Sequence, residues 1–160
     1  MPVERLKQFL DENRVKYISL LHSPAFTAQE IAASAHVPGR ELAKTVIVKL
    51  DGKIAMAVLP ASYSVDLDRL AEVAGAQRAE LATEQEFKSL FPGCDAGAMP
   101  PFGNLYDMPV FSSASLEEDD EIAFNAGSHT ELLRLTYLDF KRLVEPRVGS
   151  FSTRLQPILA

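Results

Sequence analysis

Two β-rich runs, Thr45–Leu50 and Lys53–Leu59, stand on either side of Asp51-Gly52, and no other feature restricts the fold of this chain so tightly. A type I′ turn needs positive φ at both central residues. Asp tolerates that conformation and Gly adopts it freely, so Asp-Gly between two apolar runs reads as a two-residue β-hairpin. A hairpin brings antiparallel pairing, which a doubly wound parallel sheet does not have. With helical patterns interleaved among the strands, the predicted class is α+β with a mixed sheet.

The rest of the chain follows the same punctuation. Val3, Leu6, Phe9 and Leu10 recur at helical spacing and predict an amphipathic helix over 3–13, followed by a short strand over 16–21. Thr27 with Glu30 three residues later forms a capping-box pattern, and the helix it opens should run to about His36 and stop at Pro38-Gly39. Asp66 or Ser64 caps a predicted helix over 67–74 that Gly75 ends. A strand is expected over 77–81, and Thr83 with Glu86 repeats the capping box ahead of Phe87, Leu90 and Phe91. After a Gly/Pro-rich loop over 92–103, strands are predicted over 109–112, 121–125 and 131–136, then a helix over 137–144 broken by Pro146. Residues 147–160 show no clear period and read as a partly mobile C-terminal tail.

At 160 residues, with no internal repeat, this is most simply one domain. No run of about 18 uninterrupted apolar residues predicts a membrane helix, and the mixed charges of the first seven residues do not form a signal peptide. A cytoplasmic protein is expected. The lone Cys94 excludes an internal disulfide, has no CxxC partner, and reads as a bystander thiol. His22, His36 and His129 lack metal-ligand spacing, so neither a metal nor a cofactor is expected. A net charge of −6 argues against broad nucleic-acid binding, although residues 129–160 carry five basic against three acidic residues. The acidic run Glu117–Glu121 reads as a solvated loop or strand entry.

Four places could carry chemistry. Pro100 and Pro101 fix their own backbone within Gly97-Ala98-Met99-Pro100-Pro101-Phe102-Gly103, and glycines at both ends allow conformations closed to other residues. The product is a stiff backbone wall, suited to a small ligand or a developing negative charge and equally to a plain turn. Lys44 enters the apolar strand of the hairpin, where its ammonium could hold a carbonyl or phosphate oxygen or simply be solvated. Gly127-Ser128-His129 combines a close-approach glycine with donors and acceptors, but adjacent Ser and His do not make a nucleophilic pair. His22, before Ser23-Pro24, either lines a cleft or bonds its turn.

These segments occur in one order: His22-Ser23-Pro24, Ala43-Lys44-Thr45-Val46, the Gly97–Gly103 loop, and Asn125-Ala126-Gly127-Ser128-His129. In that order the chain resembles the YbaK/prolyl-tRNA-synthetase-associated editing domain family over residues 1–146, leaving 147–160 as the tail. The resemblance implies a single domain with a bifurcated, barrel-like mixed sheet flanked by helices. It implies a free-standing deacylase that hydrolyses the ester of misacylated tRNA, most often tRNA for proline, carrying alanine or else serine, threonine or cysteine. Lys44, Gly97 and His129 match the family's catalytic positions. Ala98, Met99, Pro100, Pro101, Phe102, Gly103, Gly127, Ser128 and His22 are then expected to line the substrate site. In this reading the amides of Gly97, Ala98 and Met99 face the carbonyl oxygen, since the prolines donate none. The partners implied are aminoacyl-tRNA and either prolyl-tRNA synthetase or an elongation factor. The alternative is a module that binds aminoacyl-tRNA or a synthetase without hydrolysis.

Overall fold

The computed structural model describes residues 2–21, 41–95 and 97–154. In chain order its elements are α1 (Pro2–Glu12), β1 (Ile18–Leu21), β2 (Ala43–Leu50), β3 (Lys53–Pro60), β4 (Tyr63–Val65), α2 (Leu67–Ala74), β5 (Ala79–Leu81), α3 (Glu84–Phe87), β6 (Val110–Ser113), β7 (Glu121–Asn125), β8 (Glu131–Thr136), α4 (Tyr137–Val144), β9 (Arg147–Gly149) and β10 (Ser152–Arg154), with short 3₁₀ turns between some of them. The expected helix from Thr27, with Glu30, His36 and the Pro38-Gly39 stop, lies outside the described residues, as does His22.

The Asp51-Gly52 hairpin forms as its sequence requires. Asp51 has φ +50° and Gly52 φ +84°, and β2 and β3 pair from Leu50↔Lys53 to Ala43↔Pro60. This hairpin is the centre of a five-stranded sheet of order β5-β2-β3-β6-β9. β5 joins β2 antiparallel, whereas β6 and β9 are added in parallel, so the sheet is mixed as predicted. The Asp51 carboxylate also accepts the amides of Gln77 and Arg78. Those residues are thereby held to the turn, and β5 begins at Ala79 rather than at Gln77.

A second, antiparallel sheet has order β1-β8-β7, and β10 pairs with β4. The two larger sheets meet at one parallel bridge, Leu42↔Ala123. The architecture is the expected bifurcated α+β one. Among the described residues no sheet closes on itself, so the barrel-like form stays open.

Burial on both faces explains the nearly continuous apolar run of β3. Ala43, Ile47, Met56 and Val58 face one core with Leu6, Leu10, Phe102, Phe124 and Phe140. Val48, Ala55, Ala57 and Leu59 face another with Leu70, Phe111 and Phe151. The helix caps follow the sequence. Asp66 accepts the Arg69 amide at the start of α2, and Gly75 ends it at φ +70°. Thr83 and Glu86 make both bonds of a capping box. Glu145 leaves α4 at φ +51°, consistent with the following Pro146 barring it from right-handed helix.

The expectation of an aperiodic tail fails over 147–154. β9 completes the edge of the five-stranded sheet, β10 pairs with β4, and Phe151 is fully buried between them. Strands of three residues are too short to show a period, which is why the sequence pattern missed them.

Candidate active site

The loop over 94–103 is held from behind and clamped from the side. Phe102 is fully buried, with ring centroids 6.2 Å from Phe9, 5.5 Å from Phe124 and 5.8 Å from Phe140. Gly103 is needed for packing: a Cβ there would sit 2.5 Å from Val110 Cγ2 and 2.7 Å from the Met108 carbonyl oxygen. Met99, Pro100 and Pro101 are buried as well. Gly97 is the exposed end of this wall, at φ +82°.

Three hydrogen bonds join this loop to the β7–β8 connection, and a fourth closes the loop on itself. The Asp95 amide donates to the Gly127 carbonyl (2.8 Å), and the Gly127 amide donates to the Ala98 carbonyl (2.9 Å). The Ala98 amide closes the turn onto the Asp95 carbonyl (3.0 Å), while an Asp95 carboxylate oxygen accepts the His129 amide (3.2 Å). The clamp brings Gly97 to His129, such that a Cβ on Gly97 would lie 3.7 Å from His129 Cε1. Gly97 and His129, 32 positions apart in the chain, are thus brought together.

The clamp changes the set of amides free to act. Ala98 spends its N–H within the turn, so it is not a free donor. The amides of Gly97 and Met99 have no backbone acceptor among the described residues. Gly127, at φ +102°, is buried beneath the connection. Ser128 is 3.2 Å from the Thr130 hydroxyl, and its Oγ accepts the Thr130 amide (3.4 Å), so it builds its own turn.

Lys44 is the second residue of β2, opposite Leu59, and is half-buried. Burial pushes its ammonium below the usual 10.5, and no carboxylate among the described residues pairs with it. Alternation along β2 puts Lys44 on the face of Leu42, the bridge residue. Bridge partners project to one face, so Leu42 and Ala123 share it. Two residues on along each chain stand Lys44 and Asn125, and the clamped connection begins at Ala126.

Asp95 escaped the sequence analysis. Its signal was present, since Asp two residues before a glycine commonly bonds a nearby backbone, but the partner is His129, far along the chain. Cys94 is half-buried, and burial raises its thiol pKa, which fits a bystander. No cluster of three or more His, Cys, Asp or Glu among the described residues could hold a metal ion. No described helix is long and apolar enough to cross a membrane.

Comparison with known proteins gives the family and the fold. The family model for the aminoacyl-tRNA editing domain matches residues 22–143. The chain is 29% identical over 153 residues to the multifunctional Ser/Thr-tRNA deacylase ProXp-y of Escherichia coli strain K12, covering 92% of this chain and 91% of that one. It is 27% identical over 84 residues to a proline–tRNA ligase of Bacillus cytotoxicus, matching 52% of this chain but 15% of the ligase. Among solved structures, a candidate trans-editing enzyme for prolyl tRNA synthetase superposes with TM-score 0.81 at 19% identity, over 95% of this chain and 97% of that one. The hypothetical protein APE2540 superposes with TM-score 0.83 at 21% identity, over 93% and 99% of the two chains.

Proposed function

The chain belongs to the aminoacyl-tRNA editing domain family, whose chemistry is hydrolytic, and from that premise we propose that it is a free-standing deacylase removing a small amino acid, serine, threonine or alanine, from tRNA. The observation that carries the reading is Lys44: a half-buried ammonium without a carboxylate partner among the described residues, on the strand face that leads to the clamped loops. Burial without a counter-charge is unfavourable, and an incoming phosphate or carbonyl oxygen relieves it.

The proposed chemistry follows from the groups in place. Water attacks the ester carbonyl, negative charge grows on its oxygen, and the ribose hydroxyl leaves. The amides of Gly97 and Met99 receive that charge, and preorganised donors of this kind are worth about 10²–10³ in rate each. Lys44 holds the terminal phosphate or the carbonyl, and His129 positions substrate or water against Gly97. Neither Ser128 nor Cys94 is set up as a nucleophile, so water activation falls to the free ribose hydroxyl beside the esterified one, the family pattern, and the proton taken from water ends on the departing ribose oxygen. Pro100, Pro101, Phe102 and Gly103 serve by fixing the wall, which limits side-chain size by exclusion. Serine and threonine stand beside alanine because a relative matched over 92% of this chain is named for them. Transfer RNA for proline remains the leading carrier, supported by the partial match to a proline–tRNA ligase.

The test is decay of tRNA charged with alanine, serine, threonine, cysteine or proline, with and without the protein. Alanyl, seryl or threonyl esters should decay faster with protein, and cognate prolyl-tRNA should be spared. Decay of every species at the protein-free rate would refute hydrolysis. Retention of the charged tRNA on the protein in that case would establish the binding module instead.

A further inference from the structure

Asn125 closes β7 and is half-buried, and its carboxamide oxygen is buried without a hydrogen-bond partner among the described residues. The large majority of buried side-chain oxygens are bonded, so an orphan of this kind calls for a partner that the free protein lacks. Its position suggests which one. Leu42 and Ala123 share one face at the bridge between the sheets. Lys44 and Asn125 each lie two residues beyond that bridge, on the same face. Two residues after Asn125, Gly127 is bonded in both directions to the loop that carries Gly97. Asn125 therefore stands between the lysine strand and the clamped loops.

An aminoacyl ester offers two kinds of donor near its carbonyl. The α-ammonium is common to every amino acid, whereas a side-chain hydroxyl belongs to serine and threonine alone. An ammonium is served better by a carboxylate than by a neutral amide, and the exposed Asp95 carboxylate lies in the clamp itself. A neutral carboxamide oxygen suits a neutral hydroxyl. The terminal torsion of an Asn side chain is soft, so the carboxamide can turn its oxygen toward the cleft. Resting on the deacylase reading above, we propose that Asn125 reads the side-chain hydroxyl of seryl and threonyl esters, and so sets the preference of this site for them over alanyl esters. Discrimination arises because a substrate without the hydroxyl leaves the buried oxygen unpaired.

The experiment measures kcat/KM for seryl and alanyl esters of one tRNA, in the parent protein and in Asn125→Ala, Asn125→Leu and Asn125→Asp. Taking the seryl-to-alanyl ratio within each preparation cancels any loss of folded protein. Asn125→Leu keeps most of the volume if Asn125→Ala does not fold. The ratio should exceed one in the parent and fall about tenfold in Asn125→Ala or Asn125→Leu, the scale of one lost hydrogen bond. Asn125→Asp keeps an acceptor in the same place and should retain most of the ratio. An unchanged ratio in Asn125→Ala and Asn125→Leu overturns the proposal, including the case where both esters slow equally, as reading of the α-ammonium would require. A parent protein inactive on every ester overturns the deacylase reading instead.

Discussion

Gly97→Ala separates what the loop does for folding from what it does for turnover. A Cβ at Gly97 would meet His129 Cε1 at 3.7 Å, an ordinary contact, so the substitution creates no clash. Its penalty is conformational, because Gly97 sits at φ +82°. Left-handed backbone costs an L-residue about 1–2 kcal/mol, and reduced freedom of the unfolded chain offsets roughly 0.4–1 kcal/mol. The net loss is about 1 kcal/mol, or about 2–4 °C in Tm for a domain of this size. Gly103→Ala is the internal contrast. Its Cβ meets Val110 Cγ2 at 2.5 Å and the Met108 carbonyl at 2.7 Å, so overpacking should cost about 3 kcal/mol, the upper part of the usual range. For turnover the order reverses, relative to folded protein. Gly97→Ala shifts the amides of Gly97 and Met99 against His129, and misplacement of that kind can cost about 10²-fold. The assay is thermal unfolding beside single-turnover deacylation. A Gly97→Ala protein with normal turnover would show that the reaction does not use this stretch of backbone. A Tm loss as large as that of Gly103→Ala would refute the steric reasoning.

Lys44→Met should raise stability at neutral pH, because it removes a half-buried charge without a carboxylate partner among the described residues. Since burial lowers the folded-state pKa of Lys44, the unfolded chain holds more protons between that value and 10.5, and stability of the parent rises with pH across this window. The rise should shrink in Lys44→Met in denaturant titrations at several pH values; an unaltered rise would assign it to other groups. Glu86 behaves in the opposite sense. The Lys49 ammonium at 2.6 Å and the Thr83 cap hold its pKa at about 2 rather than 4.5, so its contribution is complete above pH 4.5 and lost as pH falls toward 2. Glu86→Gln should flatten the acid limb of the stability curve, and an unchanged limb would show that this exposed pair contributes nothing.

Local chemistry made most of the fold legible. The Asp51-Gly52 turn, the Thr83-Glu86 box and the Gly75 stop each act within a few residues, and the structure repeats them. The strands β9 and β10 were not legible, because three-residue strands owe their existence to partners far along the chain rather than to their own pattern. The site divides in the same way. Lys44, Gly97 and His129 could be named as candidates from residue type and order. Asp95 as the clamp depends on contacts with Gly127 and His129, more than 30 positions along the chain, and the orphan oxygen of Asn125 on burial by distant elements, neither of which a local pattern encodes; Ala98 spends its amide three residues back, on Asp95, inside the turn that the clamp holds.

The most direct test of the account is the lifetime of seryl-tRNA in the presence of the parent protein and of Lys44→Met, compared at equal folded concentration. The account predicts rapid loss of the ester with the parent, and a lifetime with Lys44→Met that returns to the protein-free value although that variant is at least as stable. Equal, fast hydrolysis by both proteins would contradict it, because the half-buried lysine would then have no part in the chemistry its burial is argued to serve.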